Sequence, residues 1–324
     1  MEITSKNIRM CSRLGQRGAV FGVAIPELAK KYNNIKVITA DLGLTSGLER
    51  YKTAYPDKFL NVGIAEQNMI GISAGLAKEG NCVFATTHAA FITMRCFEQV
   101  RHNLGYLKYN VKIVGTSSGM VIGMFGNTHY TIEDIALMRV IPNMTVLSPA
   151  DSVEAVKMAE ALAEMDGPAY LRLTGSLNCP MVYTEDYSFE IGKGVVFREG
   201  KDVAIIAVGT MVSEALSATT VLEEKGISCT MVNMHTIKPL DTQLLDQIFS
   251  AHELIVTVEE HSKIGGLGSV VAEYKAGIPN SPRQIMIGLP DAFGKAGEYQ
   301  YLLGQYGLTA ENIIQTVEKT LKEL

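Results

Sequence analysis

Three stretches of this chain hold residue types that can move protons or grip a flat ligand. The first is Asn61-Val62-Gly63-Ile64-Ala65-Glu66-Gln67-Asn68-Met69-Ile70-Gly71. A short apolar run ends at Gly63, and helically spaced apolar residues (Met69, Ile70, Ile72, Ala74, Leu76) begin just after Glu66. In an open α/β sheet, ligands gather at the carboxyl ends of strands. A carboxylate there, at the head of an apolar helix, is placed to be buried, where it can share a proton with a ligand. The position equally suits an ordinary first-turn Glu stabilised by the helix dipole. In the second stretch, Phe91 and Met94 share a helix face and Phe97 continues nearly the same stripe. Such a stripe makes either plain helix core or an aromatic wall. In the third, Gly126-Asn127-Thr128 leads into His129, a lone histidine of the kind that is usually a satisfied structural residue. Asp41 before Gly43 suits a turn, and His88 closes Thr86-Thr87-His88.

These residues need a frame, and short β-rich runs alternate with helical patterns to supply one. Strands are expected at Val37–Ala40, Phe59–Val62, Cys82–Thr86, Val111–Gly115, Thr145–Leu147 and Ala169–Leu173. Most are continuous apolar runs, as parallel strands buried on both faces are. Helices are expected at Gln67–Lys78, Phe91–Leu104, Ile132–Arg139 and Ser152–Met165, the last started by Asp151 with Glu154 three residues on. Residues 178–201, with Pro180, Gly192, Gly194 and Gly200, read as a linker. The rhythm then restarts: Val203–Val208, helix Ser213–Lys225, Thr230–Met234, helix Thr242–Ser250, Leu254–Val258, helix Ser269–Ala276 and Arg283–Ile287. The expectation is an α/β protein of two domains, residues 1–177 and 202–324, each a mostly parallel sheet flanked by helices.

Bulk properties narrow the classes. A chain of 324 residues suits two domains at roughly 150 residues each. Hydrophobic residues at 47% fit a sizeable core, and a net charge of −5 with scattered Lys and Arg is not a nucleic-acid footprint. No apolar run is long enough for a membrane span, and the first residues do not form a secretory signal. Cys11, Cys82, Cys96, Cys179 and Cys229 are odd in number with no CxxC spacing, which argues against disulfides and zinc. Free thiols and 15 Met fit a reducing cytoplasm.

The wording of these stretches resembles the transketolase family. VGIAEQNMIGISAGLA is similar to the glutamate segment of transketolases and deoxyxylulose-phosphate synthases. The likeness runs through Ala40-Asp41-Leu42-Gly43, Phe91 to Gln99, Asn127-Thr128-His129, Asp134 to Arg139, Pro142-Asn143-Met144, Pro149-Ala150-Asp151, Asn233 to Pro239 and Glu259 to Gly268. It implies a pyrimidine-binding domain, a transketolase C-terminal domain, thiamine diphosphate as cofactor, and ketol transfer from a ketose to an aldehyde. Carried over residue by residue, it gives Glu66 the hydrogen bond to the cofactor's pyrimidine nitrogen. Phe91, Met94 and Phe97 become its pocket, Asp41 a cofactor neighbour, and His129 the residue steadying reacting oxygens. Arg17 matches a phosphate-contacting position; His88, Ser117 and Phe125 are expected at the substrate. His102, His235, His252 and His261 receive no role. The Gly265-Gly266-Leu267-Gly268 loop could hold an anion at a helix start, although a plain helix-entry turn is preferred.

Two departures from the family pattern matter. The chain lacks the Gly-Asp-Gly segment that, in this family, binds the diphosphate through Mg²⁺, a hard cation needing oxygen ligands. With a starting Met and the ending EKTLKEL, this favours a natural split subunit. A separate N-terminal subunit is then expected to bring Mg²⁺ and the diphosphate site, in an α2β2 heterotetramer. Secondly, Ser117 stands where split relatives carry His, Met124 and Phe125 where they carry acidic residues, Tyr130 where they carry Gln, and Gly175 where they carry Arg. Losing an Arg fork weakens a grip on phosphate. A non-phosphorylated, sulfonated or modified sugar, or a keto acid, is the expected substrate. The β subunit of a 2-oxo-acid dehydrogenase and a non-catalytic scaffold subunit remain as other readings.

Overall fold

Helix and strand alternate through most of the chain, and the strands gather into two sheets in the computed structural model, which describes residues 4–174 and 179–324. The strands are β1 (Ile35–Thr39), β2 (Phe59–Asn61), β3 (Cys82–His88), β4 (Val111–Thr116), β5 (Thr145–Leu147), β6 (Ala169–Arg172), β7 (Val195–Arg198), β8 (Val203–Ala207), β9 (Cys229–Asn233), β10 (Thr236–Lys238), β11 (Leu254–Ser262) and β12 (Arg283–Leu289). The seven-stranded sheet runs β10-β5-β6-β4-β3-β1-β2, and the five-stranded sheet runs β12-β11-β8-β9-β7. All pairings are parallel except those of β10 with β5 and β7 with β9. This is the mostly parallel α/β architecture expected.

Burial on both faces explains the uninterrupted apolar runs. β4, β6, β8 and β9 are buried along their whole length. One apolar cluster (Phe21, Ile25, Phe84, Val114, Leu171) lies between the large sheet and the N-terminal helices. On the opposite face, Met69, Ile70, Ile92 and Tyr170 join Ile206, Val232 and Leu245, so a single core passes from the first sheet to the second. The helix Ser152–Glu164 starts as its cap predicts: Asp151 Oδ1 accepts from the backbone N–H of Val153 at 2.8 Å and Glu154 at 2.9 Å. Its other oxygen accepts from Val182 and Tyr183, tying the following segment down.

Several elements differ from expectation. The segment 178–201 is not all linker, because Val195–Arg198 pairs with β9. β10, from the second half of the sequence, adds an antiparallel edge to the first sheet. Both are short antiparallel edge strands that fall outside the alternation of parallel strand and helix on which the reading rests. The helices at Ser5–Ala19 and Ile25–Lys31 are likewise absent from the sequence reading; the first contains a non-helical Gly15 (φ 67°) that breaks its pattern. The stretch expected as one helix from Phe91 is instead a π-helical turn (Phe91–Arg95), a short α-helical piece (Phe97–Gln99) and a second π segment (Val100–Tyr106). The boundary near residue 177, and Gly175, lie outside the described residues.

Candidate active site

The C-terminal ends of β1, β2, β3 and β4 lie side by side, and each delivers one expected residue. Asp41 follows β1, Glu66 follows β2 at the head of the helix Glu66–Lys78, His88 ends β3, and Ser117 follows β4. Asp41 and Ser117 both have left-handed backbone (φ 57° and 58°), a conformation that non-glycine residues adopt at some cost. Strained backbone of this kind clusters at functional sites. Asp41 is exposed; its N–H donates to Asn61 Oδ1 (3.0 Å) and its Oδ1 accepts from Asn61 Nδ2 (3.3 Å).

Glu66 is 7% exposed. Its Oε1 accepts from Arg95 Nη1 at 2.8 Å, and among the described residues no hydrogen bond reaches Oε2. Arg95 lies over the Phe91 ring, with its guanidinium carbon 3.7 Å from the centroid. A buried carboxylate and a half-buried aromatic ring, bridged by one exposed side chain, suit a planar nitrogen heterocycle, so the residues fit the pyrimidine of thiamine diphosphate. The π-helical turn scatters the expected stripe. Phe91 is half-buried at the site, Met94 is exposed, and Phe97 packs against the apolar core. Cys96, beside Glu66, is buried and its thiol is pushed up to about 12, chiefly by burial, so it stays protonated and is no nucleophile.

His129 joins this group. Its ring lies 5.6 Å from Phe91, 6.4 Å from His88 and 5.0 Å from Phe125. Nδ1 is 2.9 Å from Thr128 Oγ1. His88 has a buried Nδ1 with no hydrogen-bond partner among the described residues. Burial, then the nearby His129 and Arg17, lower its pKa, so it is neutral at pH 7. Arg17 reaches the same region from the end of the N-terminal helix. The adjoining Gln16 is fixed at both ends, donating to Pro149 O (2.9 Å) and accepting from Thr174 N–H (2.8 Å). Among the described residues Arg17 has no carboxylate partner. Ser117 is buried, while Met124 and Phe125 are each 66% exposed and give the mouth an apolar lip.

The loop carrying Met124, Phe125 and His129 is clamped by the second half of the chain, to which the sequence assigns no site role. Asn127 Nδ2 donates to Gly294 O (2.7 Å), Gly297 N–H to Gly123 O (3.1 Å), and Tyr130 OH to Lys295 O (2.5 Å). Behind it lies a buried charge network. Asp134 Oδ2 accepts from Tyr170 OH (2.6 Å) and Arg172 Nε (2.8 Å), and Arg172 Nη2 donates to Thr131 O (3.2 Å) and Glu260 O (2.9 Å). Glu260 accepts from Met120 N–H (2.6 Å), Thr210 (3.1 Å) and Tyr299 (2.7 Å). The Gly-rich loop at 265–268 is a helix-entry turn, as preferred: Glu259 itself accepts from Leu267 N–H (2.6 Å) and Gly268 N–H (2.8 Å), filling the place an anion would take.

Comparison with known proteins agrees with the fold. Models of the transketolase pyrimidine-binding domain and of the transketolase C-terminal domain match residues 17–180 and 192–313. The chain belongs to the transketolase family, as a C-terminal subunit related to split transketolases. A solved structure of a split-gene transketolase, an inactive β4 tetramer, is 42% identical with a TM-score of 0.87, covering 95% of this chain and 98% of that one. A 6-deoxy-6-sulfo-D-fructose transketolase subunit, SqwH, of Clostridium sp. (strain MSTE9) is 38% identical over 90% of each chain. One subunit of an apulose-4-phosphate transketolase of Phocaeicola vulgatus is 37% identical over 92% of this chain and 95% of its own. No helix among the described residues is long and apolar enough to cross a membrane.

Proposed function

We propose that this chain is the C-terminal subunit of a thiamine-diphosphate-dependent transketolase acting on a modified or non-phosphorylated sugar. The observation that carries it is the buried Glu66, joined through Arg95 to Phe91, whose ring lies 5.6 Å from that of His129. When bound, thiamine diphosphate supplies an acidic carbon that attacks the donor carbonyl and an electron sink for breaking the adjacent C–C bond. Glu66 would hold a proton at the pyrimidine nitrogen, the role a buried carboxylate at that edge can perform. Phe91 gives the ring a flat apolar wall, with Asp41 as a further member of the cofactor's surroundings. His129 would steady the donor and acceptor oxygens; His88, neutral, offers a second hydrogen-bonding ring. Mg²⁺ and the diphosphate would be held by a separate N-terminal subunit in an α2β2 assembly, in the cytoplasm.

Substrate choice follows from the mouth. Arg17 supplies a cation without a carboxylate partner among the described residues, Ser117 is small, and Met124 with Phe125 make the lip apolar. Relatives named for sulfofructose and apulose phosphate support an altered sugar. The test is the co-purified pair assayed with xylulose 5-phosphate and ribose 5-phosphate against a panel of sulfonated, deoxy and non-phosphorylated sugars. Turnover on the pentose phosphates is expected to be weak and one panel member to be preferred; robust pentose-phosphate activity would refute the altered-substrate reading.

A further inference from the structure

We propose that Arg95 is a built-in stand-in for the cofactor's pyrimidine ring, occupying the ring's place in the cofactor-free subunit and withdrawing when the ring enters. This rests on the assignment of Glu66 and Phe91 to that ring. A guanidinium is planar, delocalised and edged with N–H donors. It therefore presents to its surroundings much of what an aminopyrimidine presents: two flat faces and in-plane hydrogen-bond donors. Arg95 uses both features at once. Its Nη1 donates to Glu66 Oε1 at 2.8 Å, and its guanidinium carbon lies over Phe91, 3.7 Å from the ring centroid. One side chain thus takes both surfaces that would hold the heterocycle.

The two partners differ in freedom. Glu66 is buried, with its side chain 9% exposed, whereas the Arg95 side chain is 51% exposed and reaches in from solvent. The Arg95 backbone is anchored: it closes the π-helical turn Phe91–Arg95, and its carbonyl accepts from Gln67 Nε2 at 2.9 Å. Withdrawal is then a side-chain rotation that leaves the turn and Phe91 in place. An isolated carboxylate in a buried pocket is costly, so a subunit that folds before it meets its cofactor gains from carrying its own cation. A partly exposed ion pair and a single cation–π contact are each weak, so the plug can be displaced.

The experiment measures thiamine diphosphate binding to the complex of the full chain with its diphosphate-binding partner, by calorimetry and by stopped-flow tyrosine fluorescence, without turnover. Arg95→Met keeps the side-chain length and removes the charge and the plane. It is expected to tighten binding about tenfold, which corresponds to removing a closed state that leaves roughly one molecule in ten open, with the gain in the association rate. Arg95→Lys, which keeps the charge but not the flat face, is expected to give a gain of about two- to threefold and serves as the decisive variant if Arg95→Met does not assemble. Unchanged or weaker binding in either variant overturns the proposal, because it places Arg95 beside the bound ring or away from it. A wild-type complex that binds no thiamine diphosphate sinks the functional assignment as well, so the two failures are told apart.

Discussion

Glu66 is set by geometry that begins a few residues before it: Gly63 turns the chain with positive φ (73°), Asn61 Oδ1 accepts from Gly63 N–H (3.0 Å), and the helix starts soon after. Replacing Glu66 by Ala is expected to cut turnover of the reconstituted complex by about 10²–10⁴, the range for one general acid–base group. Assembly, followed by gel filtration, should be unaltered, and turnover within twofold of wild type would remove Glu66 from the chemistry. Phe125→Asp tests the apolar lip. It should raise kcat/KM for pentose phosphates several-fold and lower it for the preferred sugar; equal losses on both would show that residue 125 does not select. Glu66, Phe91 and His129 are legible because each stands in a family-like motif, and these motifs follow one another in order along the chain. Arg95 is not: four residues after Phe91 it shares that face in any helix, but its residue type reads as a solvated charge and nothing in the spacing points it to Glu66.

At the scale of elements, the loop from Gly119 to Thr131 is a surface connection held by buried groups on both flanks. Gly123 sits so close to Gly297 O and Leu302 that a side chain there would push the loop off its support. Gly123→Val should therefore raise KM for substrate about tenfold while thiamine diphosphate affinity stays within twofold; a parallel loss of both would mean a general folding defect. Arg172→Met leaves Asp134 buried without its cation. It should cost about 3–5 kcal/mol in urea unfolding, the usual result of removing one member of a buried pair. The parallel strands are readable because burial on both faces writes continuous apolar runs, whereas the 15-residue helix Ser5–Ala19, broken by Gly15, is not. The clamp at 290–298 is not, since its bonds are mainly backbone groups with no residue signature.

For the molecule as a whole, buried titratable groups set how stability follows pH. Burial drives His261 and His235 down to about 4 from 6.5, despite Asp134 facing His261 and Asp241 near His235. Glu259 and Arg172 also flank His261. Unfolded histidines take a proton between pH 6.5 and 4 that the folded ones refuse, so these two make stability fall as pH drops through that window. Burial pushes Glu259 up to about 7 and Asp151 up to about 6. These bind protons that the unfolded carboxyls release, so they make stability fall as pH rises over the same range. The two pairs oppose each other, and their contributions largely cancel between about pH 4.5 and 6. Glu259→Gln removes one side of the balance. Urea unfolding at about pH 5, 6 and 7 should then show stability lost on acidification, steeper than wild type by up to about 1.4 kcal/mol per pH unit, the limit for one proton. Parallel profiles would place the linkage elsewhere.

Thr236–Lys238 completes the edge of the large sheet although its flanking strand, β9, belongs to the small one. The two halves are therefore laced rather than strung together. A chimera made by exchanging everything after the connecting segment would carry away three residues of its host's sheet and leave Val146 and Leu147 facing a foreign strand. Engineers seeking new sugar specificity by recombining relatives should place crossovers on either side of that lace, never through it, and should expect a trimmed N-terminal half to stick to itself along the bared β5.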